Sequence, residues 1–109
     1  MDFSEYQKRS RETAIYPGKD KDFIYPALGV AGEAGEVIEK IKKAVREDSG
    51  KITAERKEAL QKEMGDLLWY LAQLATETGI DLNQVAEENL AKLLSRKERG
   101  ELRGDGDNR

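Results

Sequence analysis

Apolar residues recur at the helical period of 3.6 in two long runs of this chain. In the first, Val30, Ala34, Val37, Ile38, Ile41 and Val45 line one side of a segment from about Pro26 or Ala27 to Glu47. In the second, Leu60, Met64, Leu67, Leu71, Leu74 and Ala75 do the same between Thr53, a fair N-cap, and Gly79, a natural C-terminal stop. Asp48-Ser49-Gly50 breaks the pattern between them, so the two helices are expected to pack antiparallel. Shorter amphipathic stretches flank the pair. Ser4 with Gln7 offers a capping box for a helix reaching about Ile15, ended by Tyr16-Pro17-Gly18. Residues 18–26 read as an extended connector. Asp81 caps a last helix to about Arg99, anchored by Val85, Ala86, Leu90 and Leu93. The pattern therefore predicts an all-α, four-helix-bundle-like protomer, with long helices 2 and 3 covered by helices 1 and 4. One domain is expected over residues 1–100, followed by a glycine-rich tail, 101–109, that reads as flexible. Trp69 lies off the third helix's stripe, and a helix apolar on two sides calls for a second partner, another subunit being the candidate.

Acidic pairs border both stripes. Glu33-Ala34-Gly35-Glu36 and Glu63-Met64-Gly65-Asp66 are near-copies, each with two carboxylates at i and i+3 and a glycine between them. Lys40 and Tyr70 follow at matched offsets. A single Glu-x-x-Glu is ordinary helix surface. Two copies beside the core stripes of consecutive antiparallel helices would bring four carboxylates together, and these could not all stay ionised without a cation. Oxygen-only ligands suit a hard ion, Mg²⁺ or Mn²⁺, with the phosphates it carries. A glycine inside a helix costs about 1 kcal/mol relative to alanine, so Gly35 and Gly65 suggest close helix packing at the site. Lys40 reads equally well as an ion-pair partner of Glu36 or as a phosphate donor. Asn89, Lys92, Arg96 and Arg99 gather on one side of the last helix, either as a solvated face or as donors to a polyphosphate. The aromatic residues Tyr16, Tyr25, Trp69 and Tyr70 read as packing groups before a base-stacking pocket.

Composition narrows the chemistry further. Charged residues make up 38% of the 109 and aromatics 6%, with only 2 prolines, a mix that favours helices over strands. The formal net charge of -3 and the lack of a basic run argue against polymeric nucleic acid as a partner. There are no cysteines and no histidines. That excludes disulfides, thiolate sites, His-assisted nucleophiles, the usual zinc sites and the Glu-x-x-His pairs of di-iron bundles. The opening Met1-Asp2-Phe3-Ser4-Glu5 lacks a signal-peptide pattern and no apolar run is long enough for a membrane, so a soluble cytoplasmic protein is expected.

Glu33-x-x-Glu36, then Glu63-x-x-Asp66 followed by Leu67-Leu68-Trp69-Tyr70, resembles the MazG-like family of all-α nucleoside triphosphate pyrophosphohydrolases. Tyr6-Gln7, Asn89-x-x-Lys92-Leu93, Arg99-Gly100 and Gly106-Asp107-Asn108-Arg109 extend the likeness over nearly the whole chain. The resemblance implies a Mg²⁺-dependent hydrolase (Mn²⁺ being the alternative ion) that cleaves between the α and β phosphates to give a monophosphate and pyrophosphate. It implies Glu33, Glu36, Glu63 and Asp66 as metal ligands, with Glu36 or Glu63 also serving as general base. Lys40, Tyr70, Asn89, Lys92 and Arg96 would contact substrate, and the tail with Asp107 and Arg109 would close over it. Family members act as dimers or larger assemblies, so a homodimer or homotetramer is expected, with sites shared between subunits. The alternatives are a helical adaptor whose acidic patch meets a basic partner, or the same fold narrowed to dUTP or phosphoribosyl-ATP.

Overall fold

The computed structural model describes residues 1–109, and every regular element in it is helical. Helix α1 spans Phe3–Ser10 and continues as a 3₁₀ turn over Arg11–Thr13; α2 spans Ile24–Glu47, α3 Ala54–Thr78 and α4 Leu82–Arg99. The closest packing is between α2 and α3, an antiparallel hairpin across the break at Asp48-Ser49-Gly50.

The ends of α3 and α4 follow the expected chemistry. Thr53 accepts from the Arg56 N–H and Asp81 from the Asn83 N–H, filling donors that a helix start leaves open. Gly79 and Gly100 stop their helices in the left-handed region, at φ 71° and 72°. Helix α1 departs from expectation. Its N-cap is Asp2, not Ser4, because the Asp2 carboxylate accepts from the Glu5 N–H. Ser4 and Gln7 are used elsewhere. The Ser4 hydroxyl donates to Asp81, while the Gln7 amide donates to Thr76 and the Ile80 carbonyl and accepts from the Leu82 N–H. These bonds stitch α1 to the α3–α4 corner.

The connector after α1 is not extended as predicted. Gly18 and Asp20 both take positive φ, 79° and 66°, and fold it into a tight turn that delivers Tyr16 to α3. Helix α2 accordingly starts at Ile24, before the proline, with Pro26 buried in its first turn, where a missing N–H costs nothing.

The predicted core stripes are only half covered. Ala14, Tyr16, Ala44, Ala72 and Ala75 are buried, together with Pro26, but Ile38, Val45, Met64, Val85 and Leu90 are about half exposed or more. The Cα radius of gyration is 16.8 Å, against about 13 Å for a compact chain of this length. One protomer is thus a splayed frame with apolar faces open on α2 and α4. Trp69, by contrast, has partners within the chain while staying partly exposed. Its ring meets Tyr16 edge-on and its indole N–H donates to Thr13. The tail folds back against α4: Lys92 and Arg96 bind Asp107, and Arg99 donates to the Arg109 main-chain oxygen.

Candidate metal centre

The register of the α2–α3 hairpin builds this site. At one end, Gly29 lies directly under the Tyr70 ring; a Cβ there would fall 2.2 Å from Tyr70 Cδ1. At the other, Lys40 reaches across to Glu63 at 3.6 Å. Between these clamps, one turn on from Gly29 and one turn before Tyr70, stand Glu33 and Asp66. Carboxylate oxygens of Glu33, Glu63 and Asp66 all lie within 4.8 Å of one another.

These charges act on one another. Burial raises the Glu33 pKa first, and repulsion from Asp66, Glu63 and Glu36, with a hydrogen bond to Glu63, raises it further. Burial also raises Tyr70, with Tyr25, Glu33 and Asp66 adding to it. Tyr6 of α1 is raised in turn by burial and, less, by the charge of Asp66. The arrangement fits a divalent cation. Mg²⁺ holds its oxygens at 2.0–2.1 Å, so neighbouring ligands sit about 3 Å and opposite ones about 4 Å apart. Small side-chain rotations bring three oxygens 4.8 Å apart into that range.

Glu36 is not among the three. It stays exposed one turn along α2, close enough to raise Glu33 but outside the oxygen cluster. The inserted glycines play a different part from the one expected. A Cβ at Gly35 or Gly65 would meet nothing within 4 Å, so neither marks a helix contact within the protomer; Gly29 does. Lys40 is drawn to Glu63 across the hairpin. Asn89 is exposed on α4, and Lys92 and Arg96 are engaged by the tail.

Behind Tyr70 lies a polar network absent from the sequence reading. Arg11, 18% exposed, ion-pairs with Asp20 at 2.6 Å and with Glu77, 4% exposed, at 3.1 Å. Tyr16 hydrogen-bonds Glu77 and Arg11, and the fully buried Gln73 donates to Ser10. Burial works against the Glu77 charge, but donors from Tyr16, the Asp20 N–H and Arg11 outweigh it and hold the pKa below its ordinary value. Burial and the bond to Glu77 push Tyr16 up to about 12, despite Arg11 beside it. The Tyr16 ring stacks on Tyr25 at 5.8 Å, Tyr25 leans on Tyr70, and Trp69 meets Tyr70 edge-on. The network thus fixes the aromatic wall behind the carboxylates. A signal for it existed: Trp69, Gln73 and Glu77 form an i, i+4 row in which polar residues continue an apolar face.

A family model for the MazG nucleotide pyrophosphohydrolase domain matches residues 26–100, the span that holds all three clustered carboxylates. The chain belongs to the MazG family. It is also 49% identical over 109 residues to the Gene 37 protein of Mycobacterium phage L5, covering 95% of this chain and 96% of that one. No solved structure matches it. The MazG match covers α3 whole and all of α2 but Ile24 and Tyr25, so the clamps at Gly29–Tyr70 and Lys40–Glu63 fall within it. No helix is long and apolar enough to cross a membrane.

Proposed function

We propose that this MazG protein hydrolyses nucleoside triphosphates between the α and β phosphates, releasing the monophosphate and pyrophosphate with Mg²⁺ as cofactor. The observation that carries the reading is the meeting of Glu33, Glu63 and Asp66 from two helices within 4.8 Å, inside the family's matched span. These three hold the cation. When bound, it supplies charge neutralisation for the phosphates and acidifies a water. Glu36, free of the cluster and exposed beside it, accepts the proton of the attacking water. Lys40, already paired with Glu63, exchanges that partner for a phosphate oxygen. Tyr70, held by Gly29, Tyr25 and Trp69, forms the wall against which the substrate rests.

The active unit in this reading is a homo-oligomer. Helix α4 hydrogen-bonds to the rest of the chain at its N-terminal end, through Asp81 and Leu82, while Leu90, Leu93 and Leu94 remain 57%, 38% and 53% exposed. Ile38 and Val45 leave α2 open as well. The test is incubation with individual triphosphates and Mg²⁺, with separation of the products. Monophosphate and pyrophosphate are expected from the parent, and a loss of at least 10²-fold from Asp66→Asn and from Glu36→Gln. Diphosphate and phosphate as products, or parental rates from both variants, would refute the assignment.

A further inference from the structure

Four aromatic rings close a cycle at the open end of the α2–α3 hairpin. Tyr16 stacks on Tyr25 with the ring planes 4° apart, and Tyr25 leans on Tyr70 at 6.5 Å. Trp69 meets Tyr70 edge-on at 5.1 Å and returns to Tyr16 at 6.2 Å. Trp69 and Tyr70 ride on α3, and Tyr25 sits in the first turn of α2. Tyr16 belongs to neither helix. It is the ring of the cycle whose polar end meets a shielded ion pair: its hydroxyl donates to Glu77 and accepts from Arg11. The Arg11 guanidinium also lies 5.6 Å from the Tyr16 ring centre. Glu77, its side chain 4% exposed, accepts from the Asp20 N–H as well, so it holds both ends of the turn that carries Tyr16.

None of Arg11, Tyr16 and Glu77 belongs to the carboxylate cluster, yet the ring cycle leads to it. Tyr70 presses on Gly29 with no room for a Cβ, and Glu33 and Asp66 stand one turn from Gly29 and Tyr70. The separation of α2 and α3 at that contact therefore governs the separation of two of the three clustered carboxylates. Close-packed side chains pass on a displacement because there is little free volume to absorb it. A hydrogen bond to an ionised partner is short and strong, so the Tyr16 phenol is a firm anchor. We infer that Tyr16 is a positioning residue of the metal centre: its hydroxyl, clamped by Glu77 and Arg11, holds Tyr25 and Tyr70 against Gly29 and so keeps Glu33 in register with Asp66. The inference rests on the hydrolase reading for its metal, and on packing alone for the link from Tyr16 to Gly29. Burial and the bond to Glu77 push the Tyr16 pKa up to about 12, so the hydroxyl remains a donor at neutral pH.

The variant that tests this is Tyr16→Phe in the full chain. It keeps all four rings and removes one hydroxyl, while Glu77 retains Arg11 and the Asp20 N–H, so the fold is preserved. Calorimetric titration with Mg²⁺ should show binding about tenfold weaker than the parent's, the lower end of what losing an outer partner of a metal ligand costs. Arg56→Gln is the control. It removes the bonds to Glu47 and Asp48 at the turn of the hairpin, and should lower Tm while leaving Mg²⁺ affinity at the parental value. Chemical denaturation in EDTA gives a second, metal-free measurement. Tyr16 is two rings away from Gly29, and losses at unconnected positions add. Gly29→Ala displaces Tyr70, so it should cost less in the Tyr16→Phe background, where Tyr70 is already loosened, than in the parent. Parental Mg²⁺ affinity in Tyr16→Phe, equal weakening by Arg56→Gln, or additive losses from Tyr16→Phe and Gly29→Ala would each overturn the inference. A parent that binds no Mg²⁺, with losses that still fall short of their sum, refutes the metal reading and leaves the link from Tyr16 to Gly29 standing.

Discussion

Replacing Glu33 by glutamine separates the cost of the carboxylate cluster from its use. Two unit charges 4.8 Å apart, the outer limit for these oxygens, repel by about 1 kcal/mol at the dielectric of water and about 3.5 kcal/mol at an effective value of 20. Glu33 takes part in two of the three pairs. Lys40 beside Glu63 and rotation of the side chains lower the sum, so a net relief of about 1–2 kcal/mol is expected when the charge is removed and the shape kept. At this chain length that is roughly 5–10 °C in Tm. Thermal unfolding in EDTA, at one fixed protomer concentration, should show the variant more stable than the parent. Adding Mg²⁺ should reverse the order. A ligand at a hundred times its Kd stabilises by about 2.7 kcal/mol, and the variant, lacking one of three ligands, should gain little. The pH dependence has a definite sign. The raised Glu33 pKa means that the folded form keeps a proton the unfolded form loses. Metal-free stability then falls as pH rises from the ordinary glutamate value through the raised one, a slope the glutamine variant should lack. A variant less stable than the parent in EDTA, or one that keeps the full Mg²⁺ increment, would refute the reasoning.

Gly29→Ala should destabilise by about 1–3 kcal/mol through overpacking against Tyr70, despite alanine's better helix propensity. It should also weaken Mg²⁺ binding, since Glu33 is one turn away, and Gly29→Ala with Tyr70→Ala should cost less than the sum of the single changes in chemical denaturation. Glu77→Gln removes the one buried carboxylate on Arg11 and should cost about 2–4 kcal/mol. Because the Glu77 pKa is lowered in the fold, its contribution is complete above the ordinary glutamate value and is lost as pH falls through the lowered one. The variant's acid-unfolding limb should therefore be shallower than the parent's, and an unchanged limb would remove Glu77 from the network.

What the sequence disclosed is what periodicity can carry. The α2–α3 hairpin was legible because two stripes with acidic borders and a short break between them permit one antiparallel register. That register puts Glu33 against Glu63 and Asp66. The glycines misled because a helix records that a Cβ is missing without recording what approaches. Gly35 and Gly65 look like contact positions by their match to one another, while Gly29, with no counterpart, makes the contact. Arg11, Tyr16, Asp20 and Glu77 were invisible for a related reason. They are drawn together from three separate stretches of chain by hydrogen bonds that no repeat encodes, and the positive φ of Asp20 that completes the set leaves no mark in the residue pattern.

The half-open stripes follow from the same logic. An apolar period states that Ile38, Val45, Leu90 and Leu94 lie on faces that leave water, but not which molecule covers them. In the protomer they stay exposed while the small residues Ala44, Ala72 and Ala75 are buried. A hairpin clamped by the Gly29–Tyr70 contact and the Lys40–Glu63 pair brings its helices close together, which a three-carboxylate cluster needs. It also leaves the larger side chains facing outward. An assembly that covered those faces would stabilise the frame without altering the helix spacing on which the carboxylates depend.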